Sequence, residues 1–201
     1  MIVCCYWTND TYKAMADRMM ASAQKVGLKT RGYAVENASG TWQEGDCKKP
    51  SVVLNALKDN PNHSVLFVDA DCRFISFPVL LHLEQHDHDM AAYFEASNFP
   101  SSTVLWFRKG RGLRYAEQWV KDMIANPNQP NDMVALAKTM KVVLPKRVLH
   151  LPPAYCWTEA ILRPRFGAVV PVIEHFAVGE HKFPTFSWDK SAATIYKDDR
   201  G

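Results

Sequence analysis

Residues 64–74 read SVLFVDADCRF, an apolar run that ends in two carboxylates one residue apart. Val65 to Val68 carry no polar side chain, the pattern of a central parallel strand buried on both faces. Alternation along such a strand sends Asp69 and Asp71 to the same side, with Ala70 between them turned away. Two like charges so placed repel unless a cation, a proton or hydrogen-bond donors intervene. A divalent ion is the simplest answer, because Mg²⁺ or Mn²⁺ takes one or two carboxylates together with substrate phosphates. The plainer alternative is a polar strand end, with one acid on the backbone of Cys72 or Arg73 and the other paired with the Arg73 side chain.

The segments before this run predict the order β-α-β-α-β of a layered α/β domain. Ile2 to Trp7 is a short apolar strand stopped by Thr8-Asn9-Asp10. Thr11 to Val26 places Tyr12, Met15, Ala16, Met19, Met20, Ala23 and Val26 at helical spacing, and Gly27 suits the position just past a helix end. Lys29 to Val35 reads as a second strand and Glu36 to Cys47 as a loop. Pro50 is expected to open the next helix, with Val53, Leu54 and Leu57 on its apolar face.

Beyond the acids, VLLHLEQH after Pro78 predicts a short helix, and Met90 to Phe94 and Thr103 to Phe107 predict strands. Gly112 to Ala125 is an amphipathic helix whose stripe is Leu113, Ala116, Trp119, Val120, Met123 and Ile124. NPNQPN breaks it, and Asn131 or Asp132 can cap the following MVALAKTM helix. Val142 to Leu144 and Val148 to Leu151 are candidate strands, and AVVPVIEHF is an apolar run before a polar tail. No repeat or linker interrupts the chain, so residues 1–201 are expected to form a single domain.

Composition bounds the function. The 201 residues are 47% hydrophobic and 22% charged, as in an ordinary globular protein. A net charge of +3 and an isoelectric point near 8.6 permit a polyanionic or phosphorylated partner without demanding one. No run approaches a membrane span and the N-terminus lacks a signal-peptide pattern, so a cytoplasmic location is expected, in a bacterium or a phage-infected host. Five cysteines, an odd number, show no CxxC or zinc spacing, and Cys4, Cys5 and Cys72, in or beside apolar runs, read as small buried residues.

Two enzyme classes place paired acids at such a strand end. Haloacid-dehalogenase-like phosphatases carry them on the first strand; here a β-α-β unit precedes them and Arg73 stands where Thr or Val is usual. The chain more closely resembles the GT-A family of nucleotide-diphosphosugar glycosyltransferases. The resemblance rests on Tyr6-Trp7-Thr8, VLFVDADCRF, STVLWFRKG with its helix, NDMVALAKTM, and IEHFAVGEHKF, as in the glycogenin-like members, and spans about Ile2 to Lys182. It implies an α/β GT-A (Rossmann-like) domain with a mixed, mainly parallel central sheet flanked by helices.

The resemblance also implies roles. Asp71 would be a direct metal ligand, Asp69 would contact the ribose, the metal or both, His175 would be a third ligand, and Lys182 would meet the diphosphate. A His beside two oxygens favours Mn²⁺ over Mg²⁺. Tyr6 and Thr8 are candidates for base and ribose, and Lys48 and Lys49 for the nucleotide. Asp132 and Glu95 are the catalytic candidates, although Met133 departs from the family's Gln; Asn98 and Glu174 are further polar candidates. The implied reaction moves a sugar from a nucleotide diphosphosugar, a UDP-sugar first, to a hydroxyl of a glycan, a protein or hydroxymethylated DNA, with retention of the anomer. RKGRGLR (Arg108 to Arg114) and PKR (Pro145 to Arg147), with Trp106, Trp119 and Trp157, are the candidate DNA surface. A homodimer could complete so small an acceptor site, and a non-catalytic nucleotide-sugar-binding domain is the reading from another class.

Overall fold

The computed structural model describes residues 1–36, 42–82, 87–95, 99–125, 132–144 and 147–176, with residues 42 and 43 as backbone only. Its first half alternates as the sequence predicts: β1 (Ile2–Trp7), α1 (Asp10–Lys25), β2 (Lys29–Ala34), α2 (Trp42–Asp59) and β3 (Val65–Val68). Local chemistry sets the ends of α1. Asn9 is extended and its Oδ1 accepts the Tyr12 N–H at 3.0 Å, while Lys25 lies in the last turn. Gly27 takes a left-handed φ of 86°, and the N–H groups of Gly27 and Leu28 donate back to Gln24 and Ala23. That pairing satisfies carbonyls the helix end would otherwise orphan.

The second half comprises β4 (Cys72–Phe74), α3 (Val79–His82), β5 (Met90–Phe94), β6 (Pro100–Phe107), α4 (Leu113–Ala125), α5 (Asp132–Val142), β7 (Val148–Leu151), a 3₁₀ turn at Pro153–Tyr155, α6 (Glu159–Phe166) and β8 (Ile173–His175). Six strands form one sheet in the order β2-β1-β3-β6-β5-β7, and β4 and β8 form a separate two-stranded ribbon. β1 is parallel to β2 and β3, and β7 is parallel to β5, whereas β6 runs against both β3 and β5. The sheet is therefore mixed and mainly parallel. β3 is central and wholly buried as expected, but its partner on one side, β6, is antiparallel.

Two apolar layers cover the sheet. One packs α1 and α6 through Met15, Met19 and Leu162 against Val3, Leu66, Val68, Trp106 and Trp157. The other packs α2, α4 and α5 through Val53, Trp119 and Leu136 against Cys4, Phe67, Leu105 and Phe107. Trp119 is fully buried, and its indole N–H donates to the Asp132 carbonyl at 2.9 Å, tying α4 to the start of α5.

Several boundaries differ from the sequence expectations. α2 begins inside the expected loop and runs through Pro50, at the cost of one i→i−4 hydrogen bond. Ile124 is 75% exposed, and the buried stripe of α4 uses Tyr115 instead. Val142 ends α5, and Val143 and Leu144 are not a strand. α6 forms around Pro164 where only a Pro-punctuated connection was expected, and β8 is confined to Ile173–His175.

Candidate functional site

The Asp69 N–H donates to Thr103 O at 3.0 Å, so β3 stays on β6 for one residue beyond its last ladder pair. The chain then turns, and Cys72 N–H donates to Asp69 O at 3.2 Å. This i→i+3 bond makes Asp69–Cys72 a β-turn. A tight turn, rather than the expected strand alternation, brings the two acids together. Turning also launches β4, which pairs antiparallel with β8 so that Cys72 faces His175, and Phe176 N–H closes on Asp71 O at 3.0 Å.

The ribbon sets His175 Nε2 3.5 Å from Asp71 Oδ2, with Nδ1 3.4 Å from Thr158 Oγ1. Asp69, Asp71 and His175 each offer one ligand atom, and these atoms lie within 4.8 Å of one another. Arg73 does not neutralise them: it pairs with Glu174 at 2.6 Å, which removes the plainer reading of the acids as Arg73's partners. Burial pushes the Asp69 carboxyl up, Lys49 opposes this and Asp71 adds to it, giving about 6. Burial alone would lower His175, but the charge and hydrogen bond of Asp71, with Asp69 behind it, more than offset that and raise it. Two oxygens and one imidazole that share an electrostatic deficit fit a hard-to-borderline divalent cation such as Mn²⁺ or Mg²⁺.

A second group lies behind the first. Lys49 on α2 is buried, with Nζ 3.1 Å from Asp69 Oδ1 and 3.1 Å from Asp132 Oδ2, and it donates to Ser102 Oγ at 3.1 Å. Burial would lower the Lys49 ammonium, yet Asp132, Asp69 and Asp46 together raise it well above its ordinary value. Asp132 lies in the first turn of α5, 1% exposed, and its carboxylate meets Lys49. Asp46, one turn before Lys49, has its carboxyl pushed up to about 7 by burial and by Asp132, Asp69 and Asp71, against the pull of Lys49. Asp46 was missed in the sequence, since it stands in a stretch read as loop.

The remaining candidates are dispersed. Lys48 is half-exposed, pairs with Glu44 at 3.6 Å, and lines a groove with Cys47, Val120 and Met123. Tyr6 donates its hydroxyl to Gly45 O at 3.0 Å and packs its ring 6.1 Å from that of Phe67. Thr8 is half-buried just past β1, and Glu95 is exposed just past β5. Glu174 is held by Arg73. Lys182 and Asn98 lie outside the described residues.

The basic segments occupy the other edge of the sheet. Val68 pairs with Val104 at the Asp69 end of β3, whereas Val65 pairs with Phe107 and Lys109 N–H donates to Ser64 Oγ at the far end. There Arg111 and Arg147 share Asp87 at 3.0 and 2.6 Å, and Arg114 pairs with buried Asp89. Trp106, Trp119 and Trp157 are core residues and contribute no surface to that edge.

No protein-family model matches the sequence, and no curated protein matches it. Solved structures do. A glycosyltransferase involved in glycosylation of the major capsid of PBCV-1 superposes with a TM-score of 0.67 at 11% identity, over 99% of this chain and 98% of that one. The galactosyltransferase LgtC, solved with donor and acceptor sugar analogues, gives 0.61 at 11% over 98% and 94%. The glycosyltransferase GlyE of Streptococcus pneumoniae gives 0.64 at 12% over 98% of this chain and 63% of its own. All three are GT-A-type glycosyltransferases, and the chain has their fold.

Proposed function

We propose that this GT-A-fold chain transfers a sugar from a nucleotide diphosphosugar, a UDP-sugar first among them, to an acceptor hydroxyl. The convergence of Asp69, Asp71 and His175 at the carboxyl edge of the sheet carries this reading, because open α/β sheets bind ligands there. These residues would hold Mn²⁺ or Mg²⁺, which when bound offsets the negative charge that grows on a departing diphosphate.

The chain's own residues supply the rest. The β2-β1-β3 half, with α1 and α2 as crossovers, is a mononucleotide-binding arrangement, and Tyr6 and Thr8 stand at its mouth. Lys49 fixes Asp69 and Asp132 in one orientation, and Asp69, the more exposed of the two carboxylates, would accept a hydrogen bond from the donor sugar. Lys182 would reach the diphosphate. The C-terminal position of His175 supports retention of the donor anomer, which NMR of product and donor tests; an inverted product ends that part.

The test of the whole is binding and hydrolysis of a nucleotide-sugar panel with and without Mn²⁺, in wild type and Asp71→Ala. Metal-dependent binding of one donor, lost in the variant, is expected. Phosphate release from simple esters with no donor bound would replace this reading by a phosphohydrolase, and metal-dependent binding without turnover by a non-catalytic domain.

A further inference from the structure

The half of the sheet beyond β3 holds an aromatic pair that the donor site leaves unused. Phe94, the last residue of β5, stacks on His150 of β7 with ring centroids 4.0 Å apart and planes 17° from parallel. His150 is exposed and Phe94 half-buried against the α2-α4-α5 layer. The pair is therefore a flat ledge with one side open to solvent.

Its placement follows from β6. The pairing of β5 with β6 shifts between Ala92 and Phe94, so that Phe94 faces Pro100. Such irregularities re-aim side chains beside functional sites. Pro100 and Ser102 share one face of β6 by period two, and Ser102 is the hydroxyl that receives Lys49; Ser101, between them, turns to Cys156 in the opposite layer. One continuous row thus leads from Lys49 through Ser102 and Pro100 to Phe94 and His150. Adjacent strands lie about 4.8 Å apart, which puts the ledge on the order of 10 to 15 Å sideways from β3. It stands on the side of β3 away from β1, and so away from the nucleotide half. Glu95, exposed, follows Phe94 at the same rim and adds a hydrogen-bond acceptor.

We infer that Phe94 and His150 form a stacking platform for a sugar ring of the acceptor, and that the acceptor is therefore a saccharide reaching from the ledge to the donor. The inference rests on the transferase reading above. An aromatic face, negative at its centre, suits the polarised C–H face of a pyranose, and the distance to Asp69 leaves room for more than one sugar unit between ledge and reacting hydroxyl. A nucleobase could also stack on such a ledge, but the nucleotide half lies across β3 from it.

The experiment is saturation-transfer NMR on the full chain with glucose, galactose, mannose, maltose and cellobiose, and separately with uridine and adenosine, in wild type, His150→Ala and His150→Phe. Metal-dependent donor hydrolysis measured on the same samples reports the donor site independently. Expected are saturation of at least one disaccharide, its loss by tenfold or more in H150A, and its recovery in H150F, where a flat ring returns. Saccharide binding that is absent, or unchanged in H150A, overturns the platform while intact donor hydrolysis leaves the transferase reading standing. Nucleoside saturation that follows the ring instead overturns the saccharide assignment. Donor hydrolysis absent in wild type with saccharide binding still ring-dependent sinks the transferase reading, and with it the acceptor role, while leaving a saccharide-binding ledge.

Discussion

His175 and Asp71, far apart in sequence, stand with Nε2 3.5 Å from Oδ2, held there by the pairing of Cys72 with His175 across the β4–β8 ribbon. Each residue offers one donor atom to the same point as Asp69. Asp71→Ala and His175→Ala are each expected to weaken Mn²⁺ binding, measured by calorimetric titration, by at least the roughly tenfold that loss of an outer-shell partner costs. Thr158→Val, which removes the hydroxyl 3.4 Å from His175 Nδ1, should produce a smaller loss in the same direction. Unchanged Mn²⁺ affinity in both ligand variants would show that the cluster binds no metal.

Lys49 answers two buried carboxylates at once. Truncating one partner of a buried ion pair costs about 3–5 kcal/mol, since the remaining charge is left uncompensated. Lys49→Met should therefore lower the urea midpoint strongly, and adding Asp132→Asn should restore part of it. If the double variant is as unstable as the sum of the singles, the two residues are not coupled.

Asp46 gives a pH signature. Its folded-state value near 7 lies above the ordinary carboxylate range, so the folded chain holds a proton that the unfolded chain releases at lower pH. Stability from this group is complete below about pH 4 and is lost as pH rises towards 7. In metal-free protein the melting temperature of wild type should fall relative to that of Asp46→Asn across that window. Parallel curves for the two proteins would contradict the burial argument.

The arginines at the far edge should leave chemistry alone. Arg111 and Arg147 meet at exposed Asp87, and exposed pairs contribute roughly 0–1 kcal/mol. Arg147→Ala should keep donor turnover within about twofold and shift stability only slightly, whereas Arg111→Ala also removes a cation 3.5 Å from buried Asp89 and should cost more stability with turnover likewise kept; a large loss of turnover in either would place that edge in the working surface.

Gly112 tests packing next to those arginines. A Cβ there would stand 2.7 Å from Phe107 Cβ and 2.9 Å from the Arg108 backbone nitrogen, which cannot swing aside. Gly112→Ala should cost about 1–3 kcal/mol by overpacking, read from thermal melts, with metal binding intact.

The parts of the fold that could be read from sequence are those governed by local rules. The apolar runs of β1 and β3, and the Asn9 and Gly27 ends of α1, each declare themselves within a few residues. Pro50 misled because proline prefers a first turn, yet tertiary packing carries α2 through it. α6 escaped notice because Pro164 and its short length hide the helical period. In the site, Asp69, Asp71 and His175 could be named from motif order, but the register of α2 decides that Lys49, and not Lys48, points inward. The partners of Asp46 come from β3 and α5, so no local pattern marks it.

The last strand of the ribbon also sets a schedule. Asp69 and Asp71 leave the ribosome more than half a chain-length before His175, and β3 can join β1 as soon as α2 has formed. A nascent chain still lacking β8 therefore carries the pair of acids and no imidazole beside them. Only when Cys72 receives His175 does the site gain its third donor. The pairing of Cys72 with His175 joins two segments far apart in sequence, a contact of the kind that forms late because its loop must close first, and a cation held by all three side chains would clasp those segments together.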